Sequence, residues 1–160
     1  MNRLFTLALL LSLTVAPALA KEFQVDGAHS KVGFSVTHLQ LSEVEGRFTD
    51  FTGTINWNKD NPSASKISFE VKTNSVNTDN TKRDDHLRGE DFFDVAKFPT
   101  MKFESTSVEH LGEERYTVKG KLTAHGVTKT ISVPVSVKGP IDAFNNGEES
   151  IGFRTSFKIN

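Results

Sequence analysis

Cysteine is absent from the 160 residues. That excludes a disulfide scaffold, a thiolate zinc site, a catalytic thiol and a lipid-modified N-terminal cysteine. Tryptophan and tyrosine occur once each, so aromatic rings with a polar tip, suited to sugars and wet interfaces, are nearly missing. Charge of one sign is missing too. Nineteen Lys and Arg stand against 20 Asp and Glu, a net charge of −1 with His neutral, which argues against a nucleic acid or an anionic membrane surface as partner. The longest apolar run, Leu4 to Ala16, is broken by Thr6, Ser12 and Thr14 and falls short of the roughly 20 residues a membrane span needs. Arg3 precedes it, and Pro17 leads into Ala18-Leu19-Ala20, a small-x-small processing site. Residues 1–20 therefore read as a secretory signal peptide cut before Lys21, with a periplasmic product and no stable membrane insertion after cleavage.

What remains, residues 21–160, is one domain's worth of chain. Of its 44 apolar residues, 31 are Val, Ile or Phe, a balance that favours half-buried strands over helices. Alternation supports strands in several places. Val32, Phe34 and Val36 share a face, as do Ile67, Phe69 and Val71, then Met101, Phe103 and Ser105. Val118, Gly120 and Leu122 follow, then Ile131, Val133, Val135 and Val137, and finally Ile151, Phe153, Thr155 and Phe157. Turns are expected at Asn58–Pro62, Leu111–Glu114 and Asn145–Gly147. Pro134 lacks an amide donor and should lie at an edge or bulge. In the second strand Phe48 is out of phase with Phe51, Ile55 and Trp57, and a bulge near Thr49-Asp50 would reconcile them. Between residues 80 and 98 alternation fails, and short helical turns covering one barrel end are expected there. The fold class is all-β, a single antiparallel sandwich or barrel without internal repeats.

No two of the five histidines have the spacing of paired metal ligands on a strand or helix, so no metal site is expected. His110 and His125 read as solvated turn residues. A hydrolytic triad drawn from Ser30 or Ser75 with His86 and Asp84 lacks a Gly-x-Ser-x-Gly nucleophile turn. Phenylalanine is the more informative residue, with 12 after residue 20. Such a set suits a dry apolar volume, either a packed core or a lined cavity, and composition does not choose between them. The Lys82-Arg83-Asp84-Asp85-His86-Leu87-Arg88 cluster is equally double-valued: it could meet an anionic head group or form a solvated ion-pair network.

Several segments in order resemble the YceI-like family of polyisoprenoid-binding proteins. They begin with Val25-Asp26-Gly27-Ala28-His29-Ser30, Val32 to His38, and Gly46-Arg47-Phe48. Ser75-Val76-Asn77-Thr78, Arg83-Asp84-Asp85-His86-Leu87, Phe92-Phe93-Asp94-Val95 and Phe98-Pro99 follow. Phe103-Glu104-Ser105 and Gly120 to Thr128 complete the set. The resemblance implies a lipocalin-like antiparallel β-barrel over residues 21–160 with an elongated apolar channel. It implies non-enzymatic binding, sequestration or transport of a long isoprenoid, quinone or fatty amphiphile, without a cofactor. On that basis Phe34, Val36, Phe48, Phe69, Phe93, Phe103, Leu122 and Phe153 are the expected channel residues. His38, Arg83 and His86 are the expected head-group residues.

The family pattern continues past a strand like Gly152 to Asn160 into an Arg-x-x-Phe/Tyr-Gly turn and a closing strand. Without those, the barrel is expected to be incomplete at its C-terminal strand, with an unpaired edge and a seam. The rival readings are an enzyme acting on a prenyl lipid through His38, Arg83, Asp84 and His86, and a filled barrel whose 80–99 segment docks a partner. The sequence is silent on oligomeric state and compatible with a dimer.

Overall fold

The computed structural model describes residues 20–142 and 145–159; apart from Ala20, the expected signal peptide lies outside the described residues. The described chain forms ten strands and one α-helix: β1 (Lys21–Gln24), β2 (Val32–His38), β3 (Ser42–Phe48), β4 (Phe51–Trp57), β5 (Lys66–Lys72), β6 (Val76–Asn77), α1 (Thr81–Arg88), β7 (Thr100–His110), β8 (Arg115–Ala124), β9 (Val127–Ile141) and β10 (Ser150–Thr155). Seven strands make one antiparallel sheet in the order β1-β4-β5-β7-β8-β9-β10, and β2-β3-β6 make a second. The larger sheet curls into a nearly closed barrel. Its edge strands β1 and β10 are not hydrogen-bonded neighbours, so a seam stays unsealed. One ion pair crosses it, Lys21 Nζ donating to Glu149 Oε2 at 3.0 Å.

Two local irregularities re-aim side chains. The phase slip at Thr49-Asp50 is not a bulge within one strand, as the sequence suggested. It is the break at which the chain leaves the smaller sheet for the larger. The break is held by Thr49 N donating to Ser75 O at 3.1 Å and Lys72 N donating to Asp50 O at 2.9 Å. β7 carries a true register shift between Ser105 and Ser107. The shift moves the inward phase from Met101 and Phe103 to Val108, which pairs with Val118. Pro134 lies one position beyond the last β9–β10 pair, Thr155 with Val135. Its carbonyl accepts from Thr155 Oγ1 at 2.7 Å. A residue's N–H and C=O point to the same side of a strand, so the missing amide falls on the side where β10 has ended, as an edge proline requires.

The region read as helical turns contains α1, only eight residues, capped by Asn80, whose side chain accepts from the Arg83 amide. A further turn is tied back to the helix by Phe93 N to Leu87 O at 2.9 Å and Val95 N to Arg88 O at 3.2 Å. That return swings Phe93 onto Phe48. His110 ends β7 rather than lying in a turn, and its ring stacks on Tyr116 at 4.6 Å.

Buried side chains form two separate clusters. Phe23, Ile55, Trp57, Val108, Val118, Val133, Val135 and Val137 make one; Phe48, Val71 and Val76 make the other. Trp57 seals the first, packing edge-on against Tyr116 at 5.1 Å and Phe153 at 5.5 Å. The second lies where the smaller sheet meets the larger, next to α1.

Candidate functional site

The strand registers decide which apolar residues face inward together. Phe34 pairs with Gly46 and Val36 with Val44. Gly53 pairs with Phe69, Phe69 with Phe103, and Phe103 with Leu122. Directly paired residues share a face, so Phe69, Phe103 and Leu122 form a continuous inner row across β5, β7 and β8. In a filled barrel such a row would be fully buried. Here Phe34, Phe69, Phe93, Phe103, Leu122 and Phe153 are only half-buried, and Val36 is 57% exposed. Phe48, at 6%, is core. The interior is therefore dry in its two clusters and half-covered between them.

Aromatic contacts organise this surface. Phe34 lies 5.5 Å from Phe48, which meets Phe93 edge-on, also at 5.5 Å, while Phe51 and Phe69 stack at 5.8 Å. Six of the eight expected channel residues divide between the two clusters, and Val36 and Leu122 belong to neither. Phe34, Phe69 and Phe93 pack with the Phe48 cluster, and Phe103 and Phe153 with the Trp57 cluster. A residue not singled out from the sequence joins them: Lys129 pairs with Leu122, in phase with Ile131 and Val133. Extending that alternation back two residues would have found it.

The polar residues are less gathered. Arg83 and His86 share α1, while His38 ends β2. The Val32 end of β2 pairs with Phe48, which pairs with Val76. His38 is six residues further along, about 20 Å at strand rise. Arg83 donates from Nε to Thr78 Oγ1 and from Nη2 to Thr78 O, both at 2.7 Å. Thr78 in turn donates to Asp84 Oδ1 through its amide at 2.8 Å and its hydroxyl at 2.6 Å. Arg88 donates to Asn74 O and Val76 O and pairs with Asp85. The cationic cluster thus fastens the 74–78 segment, and its Arg83 stays exposed on the helix surface.

The side chains of the imagined triad are engaged elsewhere. Asp84 binds Thr78, Ser75 Oγ donates to Lys72 O at 2.7 Å, and His86 packs edge-on against Phe92 at 4.9 Å. Among the described residues no group of three His, Asp or Glu is placed to hold a metal ion. No helix of the described chain is long and apolar enough to cross a membrane.

Fold and interior together define an antiparallel, lipocalin-like β-barrel with an unsealed seam and a half-covered apolar interior. The YceI-like domain matches residues 23–160, and the chain belongs to that family. It is 42% identical to the protein YceI of Salmonella newport (strain SL254) over 157 residues, 97% of this chain and 81% of that protein. Among solved structures it resembles the YceI protein of Campylobacter jejuni, with a TM-score of 0.66, 38% identity and coverage of 84% of this chain and 78% of that one. Burkholderia cenocepacia BcnA superposes with a TM-score of 0.69 at 29% identity, covering 72% of each chain.

Proposed function

We propose that this protein binds a long-chain isoprenoid, a quinone or a similar amphiphile in its apolar interior. It acts in the periplasm after removal of residues 1–20, as a non-enzymatic carrier or sequestering protein. The observation that carries this reading is the inner row that stays half-buried between two fully dry clusters. Apolar side chains facing inward yet still reachable are what a removable chain would cover. Phe34, Val36, Phe69, Phe103, Leu122 and Phe153 line the tail, with Phe48 and Phe93 behind it at the α1 end. Arg83 and His86 on α1 and His38 at the end of β2 are exposed, where a polar head group would meet water.

The driving force is burial. At about 0.8 kcal/mol per CH₂, one isoprene unit taken from water contributes roughly 4 kcal/mol before ordering costs are subtracted. A few units therefore suffice for tight binding, and no directional polar contact is required.

Native mass spectrometry of protein recovered from the periplasm tests this, with its organic extract analysed alongside. A one-to-one adduct of prenyl-quinone, polyprenyl phosphate or fatty amphiphile mass is expected. A clean protein mass that persists after incubation with excess prenyl lipid would overturn the reading.

A further inference from the structure

We infer that Gly46 sets the width of the apolar interior beside β3, by letting the ring of Phe34 lie flat against the strand, and so admits methyl-branched chains as well as thin linear ones. The inference rests on the lipid-binding reading above. Phe34 sits directly across from Gly46 in the β2–β3 pair, and Phe69 across from Gly53 in the β4–β5 pair. Neither glycine has a positive φ, so the backbone does not demand glycine at either place. The demand comes from packing. A methyl on Gly46 would stand 2.7 Å from Phe34 Cε1 and 2.9 Å from Cε2, with Cζ nearer still. A methyl on Gly53 would stand 2.6 Å from Phe69 Cδ2, 2.8 Å from Val25 Cγ2 and 3.1 Å from the Ser68 backbone oxygen, so that glycine is required by more than one ring. The Phe34 ring therefore occupies the space a side chain at Gly46 would take, with one face on the glycine and, since the ring is only half-buried, the other face toward the interior; Phe69 instead meets Gly53 through one ring atom and stacks on Phe51.

An aromatic ring laid flat across the inner wall gives up little width. Any side chain at the glycine must tilt the ring inward, because the strand behind it cannot retreat. A polymethylene tail is thin and can pass a tilted ring. A prenyl chain, with a methyl on every fourth backbone carbon, is broader and cannot. Gly120 shows the contrast. A methyl there would meet Phe103 Cζ, but it would also meet the Glu104 backbone oxygen at 2.5 Å, so that glycine is required by the β7 register shift and tells nothing about bore. Gly46 is the clean case, since the three nearest atoms all belong to one side chain.

The test uses the full chain, with cis-parinaric acid as the linear probe, read by its fluorescence, and geranylgeraniol as the branched competitor. Wild-type protein should bind both. Gly46→Ala should weaken geranylgeraniol by about tenfold or more while holding cis-parinaric acid within about threefold. The double variant Phe34→Leu/Gly46→Ala should recover geranylgeraniol, because the ring that the methyl lifts is gone. A folded Gly46→Ala protein that binds geranylgeraniol like wild type overturns the inference, and so does an equal loss of both probes without rescue by Phe34→Leu. If Gly46→Ala alone does not fold, Phe34→Leu is compared with the double variant. Equal stability and equal binding support the inference, and a double variant that fails where Phe34→Leu succeeds overturns it. Wild-type protein that binds neither probe removes the lipid-binding reading itself, a result distinct from all of these.

Discussion

At the scale of single residues, the polar groups are assigned to local architecture more firmly than to a ligand. His29 Nδ1 and Asp26 Oδ2 are 2.6 Å apart in the turn before β2, both well exposed. The hydrogen bond to His29 holds the Asp26 carboxyl below its ordinary range, and the bond to Asp26 lifts the His29 imidazole above its own. The lowered carboxyl supports the turn above its ordinary value, and that support is lost as pH falls through its folded value. The raised imidazole supports the turn fully below its ordinary value, and that support is lost as pH rises through its folded one. An NMR titration should therefore place His29 above its ordinary midpoint, with the shift shrinking in salt and vanishing in Asp26→Asn; an unshifted His29 in the wild-type chain would contradict the pairing. Asp84 is different because it is buried, at 6%. Asp84→Ala would strand the Thr78 amide and hydroxyl, and urea denaturation should show a loss of about 1–3 kcal/mol. None of this was legible in the sequence. The run from Lys82 to Arg88 reads equally as a head-group site or an ion-pair network, and only the path of the 74–78 segment beneath it shows which carbonyls the arginines reach.

At the scale of elements, the sequence was readable wherever alternation ran uninterrupted. Ile67 to Val71 and Ile131 to Val137 each fall inside a strand with the expected face the more buried, and Val32 to Val36 falls inside β2 with Val32 and Phe34 half-buried but Val36 exposed. It was misleading where phase changes have two physical causes. The slip at Thr49-Asp50 and the one after Ser105 look alike as patterns, yet the first is a change of sheet and the second a bulge. What separates them is the partner strand, which period alone does not specify. β1 offered only Phe23 as a buried residue, too little alternation to be seen. Helix α1 is too short to be stable alone, so its cap should matter. Asn80→Ala removes the acceptor for the Arg83 amide and should lower stability by about 1 kcal/mol. Hydrogen exchange should show the effect concentrated at residues 83–95, because the return turn hangs on carbonyls of Leu87, Arg88 and Gly89; exchange unchanged there would mean packing of Phe93 and Leu87 alone holds the segment.

At the scale of the whole molecule, the seam and the divided interior are two aspects of one arrangement. The seven-stranded sheet ends in β1 and β10 without joining them. The crossing ion pair Lys21–Glu149 has both partners more than two-fifths exposed, at 48% and 42%, and such a pair contributes at most about 1 kcal/mol. What holds β10 is its pairing with β9 and the burial of Phe153 against Trp57. The free protein should therefore open first along β10, with amides of Gly152 and Arg154, which face β9, exchanging faster than those of β8, which is paired on both sides. A bound hydrocarbon chain would touch both clusters at once and couple the seam to the rest of the barrel. At a free prenyl lipid concentration a hundredfold above Kd, linkage gives about 2.7 kcal/mol of added stability. The raised melting temperature should come with slower exchange in β10 than in the free form, a pattern that surface adsorption of lipid would not produce. If β10 already exchanges as slowly as β8 without ligand, the seam is held by something stronger than these contacts, and the coupling described here does not exist.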